Sequence, residues 1–497
     1  MMNKINKHIE MNKKDQDLII SEGKTKKIFW KDLFIVLIIS IGLHTIFSLR
    51  SFSDPEHRQM EQDSIGYLTL ANNLVKGEGF ARMKPVGPQG QEVFTPEFCR
   101  TPGYPLLIAG FQWLTGDGLK GTIIFQQILG VILCLMVMFT CQRYFGRKAG
   151  LVAGSLLALD LQAIGLSNIL YADFIFSFIL CCSVLLLVKN VEGGNIWYIL
   201  GAGLLLGFGI LTKPAGMPLP IILSFVLIFY AIIKHQWRLV TTALFIFFVA
   251  YMPVFGWMIR NGIVCGEYSF CSQPKHFLLQ IAMVSLGRAE GISNPVARDK
   301  ILAGTGVNYV QIRQTAILSD EANKVKKAAI GAILNNKSSF MKEWEISSAK
   351  LFFGPEKMTL LALGLPHIAF GIQGDATAIS NTSSVISIVI LAFETFILGV
   401  TYILVFMTVY KCIKMRLLPN IVLFCLMVTL PILVLSTIPG GGDPRYRFGV
   451  IPLLVVIAAA GFGLNKLNVI SAPNSKGYDT LQLRSVLKTG LNTNEEN

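Results

Sequence analysis

Charge is scarce in this chain. Only 15% of its 497 residues are Asp, Glu, Lys or Arg, where a soluble domain carries about 25%. A water-soluble globular class is therefore excluded. Metal-site spacing is missing too: nine Cys and six His include no C-x-x-C pair and no zinc pattern. No repeat of fixed period is present, nor the paired halves expected of an inverted-repeat transporter. The first apolar run lacks an A-x-A-like cleavage site, so it reads as an uncleaved signal-anchor helix behind a basic tail, residues 1–27. Acidic charge is the rarer sign, 30 Asp and Glu against 44 Lys and Arg, a net +14. The basic excess lies in the N-terminal tail and in short loops between apolar runs, which is positive-inside patterning and calls for no nucleic acid.

What is abundant is apolar. Hydrophobic residues make up 53% of the chain, with 33 Phe, and they cluster in runs near the roughly 20 residues that a crossing helix needs. Candidate spans are Ile28 to Leu49, Thr122 to Tyr144, Ala149 to Lys189 (two spans, bent near "LQAIGLSN"), Ile196 to Leu211, Met217 to Ile233, Leu239 to Ile259, Val385 to Tyr410, Leu418 to Ile438 and Phe448 to Leu467. The expected fold class is an all-α polytopic membrane protein of about ten transmembrane helices.

With the N-terminus inside, this count keeps "RYFGRKAG", "KHQWR" and "YKCIKMR" inside as well. The run "TPGYPLLIAGFQWLTG" is too short and carries Pro early, so it reads as an interfacial helix. Two external segments follow, 51–121 and 260–384, both bearing interfacial helices. In the second, Ala329, Ile333, Phe340 and Trp344 recur at helical spacing, and no soluble domain with its own core is expected. The polar segment 468–497 reads as a disordered cytoplasmic tail. Cys99, Cys265 and Cys271 fall outside, and the last two are close enough in sequence for a disulfide.

On the external face, polar residues gather that a membrane does not explain. Glu61 and Asp63 open "EQDSIGYLTLANNLVKGEGF", in which Asp63 or Ser64 is also a natural N-cap for a helix Ile65 to Lys76 stopped by Gly77. Arg100 and Tyr104 lie in "RTPGYP", Asp173 in "LYADFIF", Lys213 in "ILTKPAG", Arg260 in "WMIRNG", and Arg445, Tyr446 and Arg447 in "GGGDPRYRFGVIP". Charges near membrane depth are costly. Their concentration at one face points to an anionic, membrane-held substrate meeting acid/base groups.

These pieces, in this order, resemble the bacterial glycosyltransferase family 39 proteins. That family lies in the GT-C superfamily, with the protein O-mannosyltransferases and aminoarabinose transferases. The resemblance spans about Lys31 to Leu464 and is weakest in the second external segment. It implies a GT-C-like catalytic domain, 28–467, in the cell membrane, with both termini cytoplasmic and the active site outside. It further implies transfer of a sugar from a polyprenyl-phosphate carrier to a glycolipid, glycan or protein hydroxyl. Asp63 matches the family's base, Glu61 completes an E-x-D arrangement, and Asp173 matches a second acidic position. Lys213 and the "RYR" residues Arg445, Tyr446 and Arg447 match positions suited to the carrier phosphate, with Arg100, Tyr104 and Arg260 as further substrate-binding candidates. The absence of an extended C-terminal domain like that of the aminoarabinose transferases argues against a lipid A acceptor.

The chemistry agrees with this division. An inverting displacement needs one carboxylate to take the acceptor proton, and a leaving phosphate wants Lys or Arg. No cofactor is required, although Glu61 and Asp63 are able to hold a divalent cation. Two other readings share the composition. A different polyprenyl-linked oligosaccharide polymerase or ligase would use external Arg and His clusters, whereas His57, His276 and His367 are far apart. A transporter or flippase would place charges near the midplane.

Overall fold

A computed structural model describes residues 30–53, 62–86, 91–307, 309, 319–355, 357–363, 365, 382–438 and 443–465. The two expected tails and Glu61 lie outside the described residues. Helix α1 (Trp30–Ser53) is followed by α2 (Gln62–Val75), a hairpin of β1 (Ala81–Val86) and β2 (Gln91–Pro96), and α3 (Gly103–Thr115). Next come α4 (Gly118–Phe145), α5 (Arg147–Ala158), α6 (Leu161–Ser167), α7 (Ala172–Gly193), α8 (Ile196–Thr212), α9 (Leu219–Lys234) and α10 (Arg238–Cys265). The second external segment holds α11 (Gln273–Glu290), α12 (Asn294–Leu302), α13 (Ser319–Asn335), α14 (Lys337–Phe353) and the short α15 (Lys357–Ala362). The chain closes with α16 (Thr382–Met415), α17 (Asn420–Ser436), a 3₁₀ turn over Pro444–Val450, and α18 (Ile451–Ala460).

Six of the described helices are long and apolar enough to cross a membrane: α1, α4, α7, α9 with the turn before it, α10 and α16. A seventh arises if α5 and α6, bent by 53° at their junction, form one broken span. The expected ten is reached only by adding α8, α17 and α18, of 17, 17 and 10 residues, all shorter than a full crossing. The bend expected near "LQAIGLSN" falls at Asp160, for a local reason. Its backbone is extended and its carboxylate accepts the Ala163 N–H at 2.9 Å, so it caps α6 instead of continuing α5.

Burial explains which helices sit centrally. All ten residues of α18 are buried, as expected for a helix apolar on every side. It packs with α7, as does the 3₁₀ turn before it, where Phe174 of α7 stacks on Phe448 and the Ser177 hydroxyl donates to the Phe448 carbonyl at 3.0 Å. One end of the bundle is closed by a two-armed Arg147–Asp32 pair, at 2.5 and 2.8 Å, between α5 and the start of α1. At the other end of α1, Ser51 reaches the Asn168 carbonyl.

Three features go beyond or against the reading of the sequence. The first external loop bears the expected helices, α2 and α3, and also a hairpin: β1 and β2 pair antiparallel, with Ala81 opposite Pro96 and Val86 opposite Gln91. Pro85 and Pro96 conceal these strands in the sequence, because Pro is confined to strand edges and ends. The second segment does have a core of its own: Leu279, Ala282, Leu286, Ala297, Ile301 and Ala329 pack together, apart from the main cluster. Short amphipathic helices hide such a core because each contributes only two or three apolar residues. Finally, Cys271 is a buried free thiol, so no bridge joins it to Cys265, whose sulfur instead meets Arg260 Nη1 at 3.5 Å.

Candidate active site

Helix α2 begins at Gln62, so Asp63 lies in its first turn, and Gly77, at φ 79°, follows its end. Ser64 does not act as the cap: its hydroxyl donates to the Leu170 carbonyl at 3.4 Å and ties α2 to the loop before α7. The Asp63 carboxylate meets two guanidinium groups, Arg100 Nη2 at 3.2 Å from Oδ1 and Arg445 Nη1 at 3.4 Å from Oδ2. Burial pushes the Asp63 carboxyl up, but Arg100 and then Arg445 outweigh it and hold the group below the usual carboxylate range. The two ion pairs therefore contribute stability above that range and lose it as pH falls through the lowered value.

Arg100 is placed by buried Glu97 at the end of the hairpin. The Glu97 carboxylate accepts the backbone N–H groups of Cys99, at 2.7 Å, and Arg100, at 3.2 Å, and pairs with Arg82. The guanidinium then lies flat over α2, 4.7 Å from the Tyr67 ring centroid. Only glycine permits this approach at residue 66, where a Cβ would come within 2.6 Å of Arg100 Nη2. Burial raises the Tyr67 phenol above its ordinary pKa, so its hydroxyl stays protonated beside Asp63.

Arg445 arrives from the other end of the chain, on the 3₁₀ turn, whose start is capped by the Asp443 side chain. Its guanidinium is 5.1 Å from the ring centroids of both Tyr171 and Tyr446. Lys213 Nζ lies 4.9 Å from the Tyr446 ring centroid and forms an ion pair with Asp173. Lys213 ends α8 in an extended conformation, as the residue before a proline must. Gly103 fixes the packing beside it, since a Cβ there would lie 2.7 Å from the Leu211–Thr212 backbone.

The fold thus gathers Asp63, Arg100, Arg445, Tyr446, Lys213 and Asp173 from five separate stretches. Tyr104 stands behind them, edge-on to Tyr67 with centroids 5.0 Å apart and its hydroxyl donating to Gln126 at 2.8 Å. Two candidates take other positions. Arg260 Nη1 donates to the Glu97 carbonyl at 3.0 Å and Nη2 to that of Phe80 at 3.2 Å, binding the hairpin base to α10. Arg447 is fully buried. Its Nη1 donates to the Leu351 and Gly354 carbonyls at 2.7 and 2.9 Å, closing the C-terminus of α14. Its Nη2 faces Glu394 at 3.7 Å.

Arg447→Ala is expected to leave the buried Glu394 charge without this partner and to destabilise the protein by about 3–5 kcal/mol. Thermal unfolding in detergent would reveal it, and an unchanged midpoint would refute the assignment.

Sequence reasoning missed Gly66, Tyr67, Glu97, Tyr171 and Glu394. Tyr67 was within reach, being four residues from Asp63 and so on the same helix face. Glu97 and Glu394 carry no local signal. No group of three His, Cys, Asp or Glu able to hold a metal is found among the described residues. Both Asp63 oxygens face arginines, so a cation on this carboxylate would have to compete with two guanidinium groups.

Residues 99–257 match the family model described as dolichyl-phosphate-mannose-protein mannosyltransferase. That stretch carries Arg100, Asp173 and Lys213 but neither Asp63 nor the "RYR" turn. No curated protein gives a significant match. Among solved structures, archaeal oligosaccharyltransferase AglB from Archaeoglobus fulgidus, in complex with an inhibitory peptide and a dolichol-phosphate, aligns at TM-score 0.50 and 15% identity over 94% of this chain. This chain spans 54% of that protein. ArnT from Cupriavidus metallidurans bound to undecaprenyl phosphate aligns at TM-score 0.36 and 12% identity, covering 88% of this chain and 79% of that one. Arabinosyltransferase EmbB from Mycobacterium smegmatis aligns at 0.33 and 12%, covering 87% and 41%. The resemblance read from the motifs is thus met by the family model over residues 99–257, and the fold is like that of AglB.

Proposed function

We propose that the chain is an integral-membrane glycosyltransferase moving a sugar from a polyprenyl-phosphate carrier to an acceptor hydroxyl on the outer face of the cell membrane. One observation carries this reading: a partly exposed carboxylate, Asp63, stands between two cations, Arg100 and Arg445, with a third, Lys213, beside the Tyr446 ring that Arg445 also meets, at a single end of an apolar bundle. In the reaction Asp63 takes the acceptor proton while the acceptor oxygen attacks the anomeric carbon from the side opposite the phosphate. The bond from that carbon to the phosphate oxygen breaks, and the phosphate leaves with the electron pair. Arg445, Lys213 and Arg100 stabilise the charge that builds on it. Asp173 holds Lys213 in place, and Tyr446 lies between Lys213 and Arg445. Arg260, Glu97 and Arg447 position the loops that carry these groups.

The catalytic unit is residues 28–467, with both termini cytoplasmic and the segments 51–121 and 260–384 outside. The long second segment is the natural place for acceptor choice. The test is transfer by the purified protein from a panel of polyprenyl-phosphate sugars to membrane extract. Absence of transfer from every donor would refute the proposal. Topology is checked separately: Gly90→Cys should label from outside intact cells, and labelling only after permeabilisation would reverse every assigned side.

Gly66→Ala gives a finer check. Its Cβ would displace the Arg100 guanidinium from α2, so transfer should fall about tenfold, a loss of about 1.4 kcal/mol in the transition state. Wild-type activity in this variant would remove Arg100 from the site.

A further inference from the structure

We propose that the carrier phosphate and Asp63 compete for Arg445, so that binding of the donor lipid itself releases the base. The inference rests on the glycosyltransferase reading and adds an order of events to it.

The two arginines of the 3₁₀ turn are held very differently. Arg447 is anchored by carbonyls at 2.7 and 2.9 Å. Among the described residues, and besides the Tyr171 and Tyr446 rings, the Arg445 guanidinium has only long contacts: Asp63 at 3.4 Å, the Tyr446 hydroxyl at 3.3 Å, and Asp443 at 3.8 Å. Its Nε is buried without a hydrogen-bond partner among the described residues. Charge-assisted bonds to an oxyanion settle near 2.7–2.9 Å. Arg445 therefore retains unused donor capacity that a planar carboxylate at this distance does not meet.

Every charged group facing Asp63 among the described residues enters the balance. Arg100 comes from the loop before α3, Arg445 from the 3₁₀ turn, and Tyr67 from α2 itself. The Lys213–Asp173 pair shares the Tyr446 ring with Arg445, and Asp443 faces Arg445 Nε at 3.8 Å. Asp63, Asp173 and Asp443 together match Arg100, Arg445 and Lys213 in charge, so an arriving phosphate finds none of these three cations without a carboxylate beside it. It binds by taking one over. Arg445 holds its carboxylates only at long range and has a spare N–H, whereas Arg100 lies in the Gly66 cleft against Tyr67 and Lys213 is held by its close pair with Asp173. Once Arg445 turns to the phosphate, Asp63 keeps one arginine, its carboxyl becomes more basic, and it takes the acceptor proton. No proton or electron enters from elsewhere: the hydroxyl proton passes to Asp63, and the leaving phosphate takes the electron pair of the broken bond.

The test uses citronellyl methyl phosphate, an isoprenoid phosphodiester that does not itself titrate near neutral pH, with the full-length protein in detergent. Calorimetry in buffers of different ionisation enthalpy reads affinity and proton exchange together. Wild-type protein should take up a fraction of a proton on binding at about pH 4–5, where a carboxyl regains its ordinary pKa. Asp63→Asn should bind the probe about tenfold more tightly, one pKa unit of competition being tenfold in affinity, and without proton uptake. Should the variant not fold, proton uptake by the wild type decides alone. Saturable wild-type binding with no proton uptake, or an Asp63→Asn protein that binds no more tightly, overturns the competition while leaving the transferase reading intact. Failure of the wild type to bind the phosphodiester at all overturns both.

Discussion

Asp63→Asn is expected to lower sugar transfer by about 10²–10⁴-fold, the range for losing a positioned general base, and also to lower thermal stability, since Arg100 and Arg445 lose their ion pairs with it. The substitution keeps the size of the side chain and its place in the first turn of α2, while Arg100 and Arg445 retain their contacts with Tyr67, Tyr171 and Tyr446. What is lost is the capacity to accept a proton. A binding residue would show its defect in donor KM. Here the loss should fall on kcat, at donor concentrations that saturate the variant at least as readily as the wild type. The pH profile gives a second reading. At limiting donor, the acid limb should lie below the usual carboxylate range, because the two arginines hold Asp63 down in the free protein. A variant that turns over normally would remove Asp63 from the chemistry.

The second large effect is expected at Lys213. Its partner Asp173 has a side chain only 7% exposed, and the lysine itself is 15% exposed. Removing one member leaves the other charge buried, at a cost of about 3–5 kcal/mol. Lys213→Ala should therefore lower both the unfolding midpoint and the yield of folded protein. The double variant Lys213→Met with Asp173→Asn removes both charges at nearly constant volume, and it should recover most of that stability. Transfer should not recover with it, since the phosphate has lost a cation. Comparing melting midpoint and transfer across the single and double variants separates the two roles. If the double variant regains transfer, the pair is structural only.

Both predictions depend on features with very different visibility in the sequence. Hydropathy runs located the apolar helices, because membrane insertion leaves an unmistakable local composition. Pro102 and Pro105 marked the start of the short α3, and Gly77 marked the end of α2, because backbone conformation at those residues is decided by the residue itself. The hairpin was hidden by its prolines. The core of the second segment was hidden because its apolar residues are shared among α11, α12 and α13. The bend was expected a few residues late, because a capping Asp inside an apolar run looks like any other polar interruption.

By itself, the sequence determined that the chain lives in a membrane, where its apolar helices run, and which charged residues those helices could not absorb. These are local properties of composition and period. Only the tertiary structure decided which of those residues meet. Asp63 and Arg445 are 382 positions apart, and nothing near either one specifies the other. Their pairing follows from the packing of α7 and α18, which brings the 3₁₀ turn over the loop before α7, and from Ser64, which ties α2 to the same loop. The same packing divided two neighbouring arginines, turning Arg447 inward to close α14 and Arg445 outward to Asp63. Two residues apart on a 3₁₀ turn, their side chains leave in different directions, and burial settled which became scaffold and which became site.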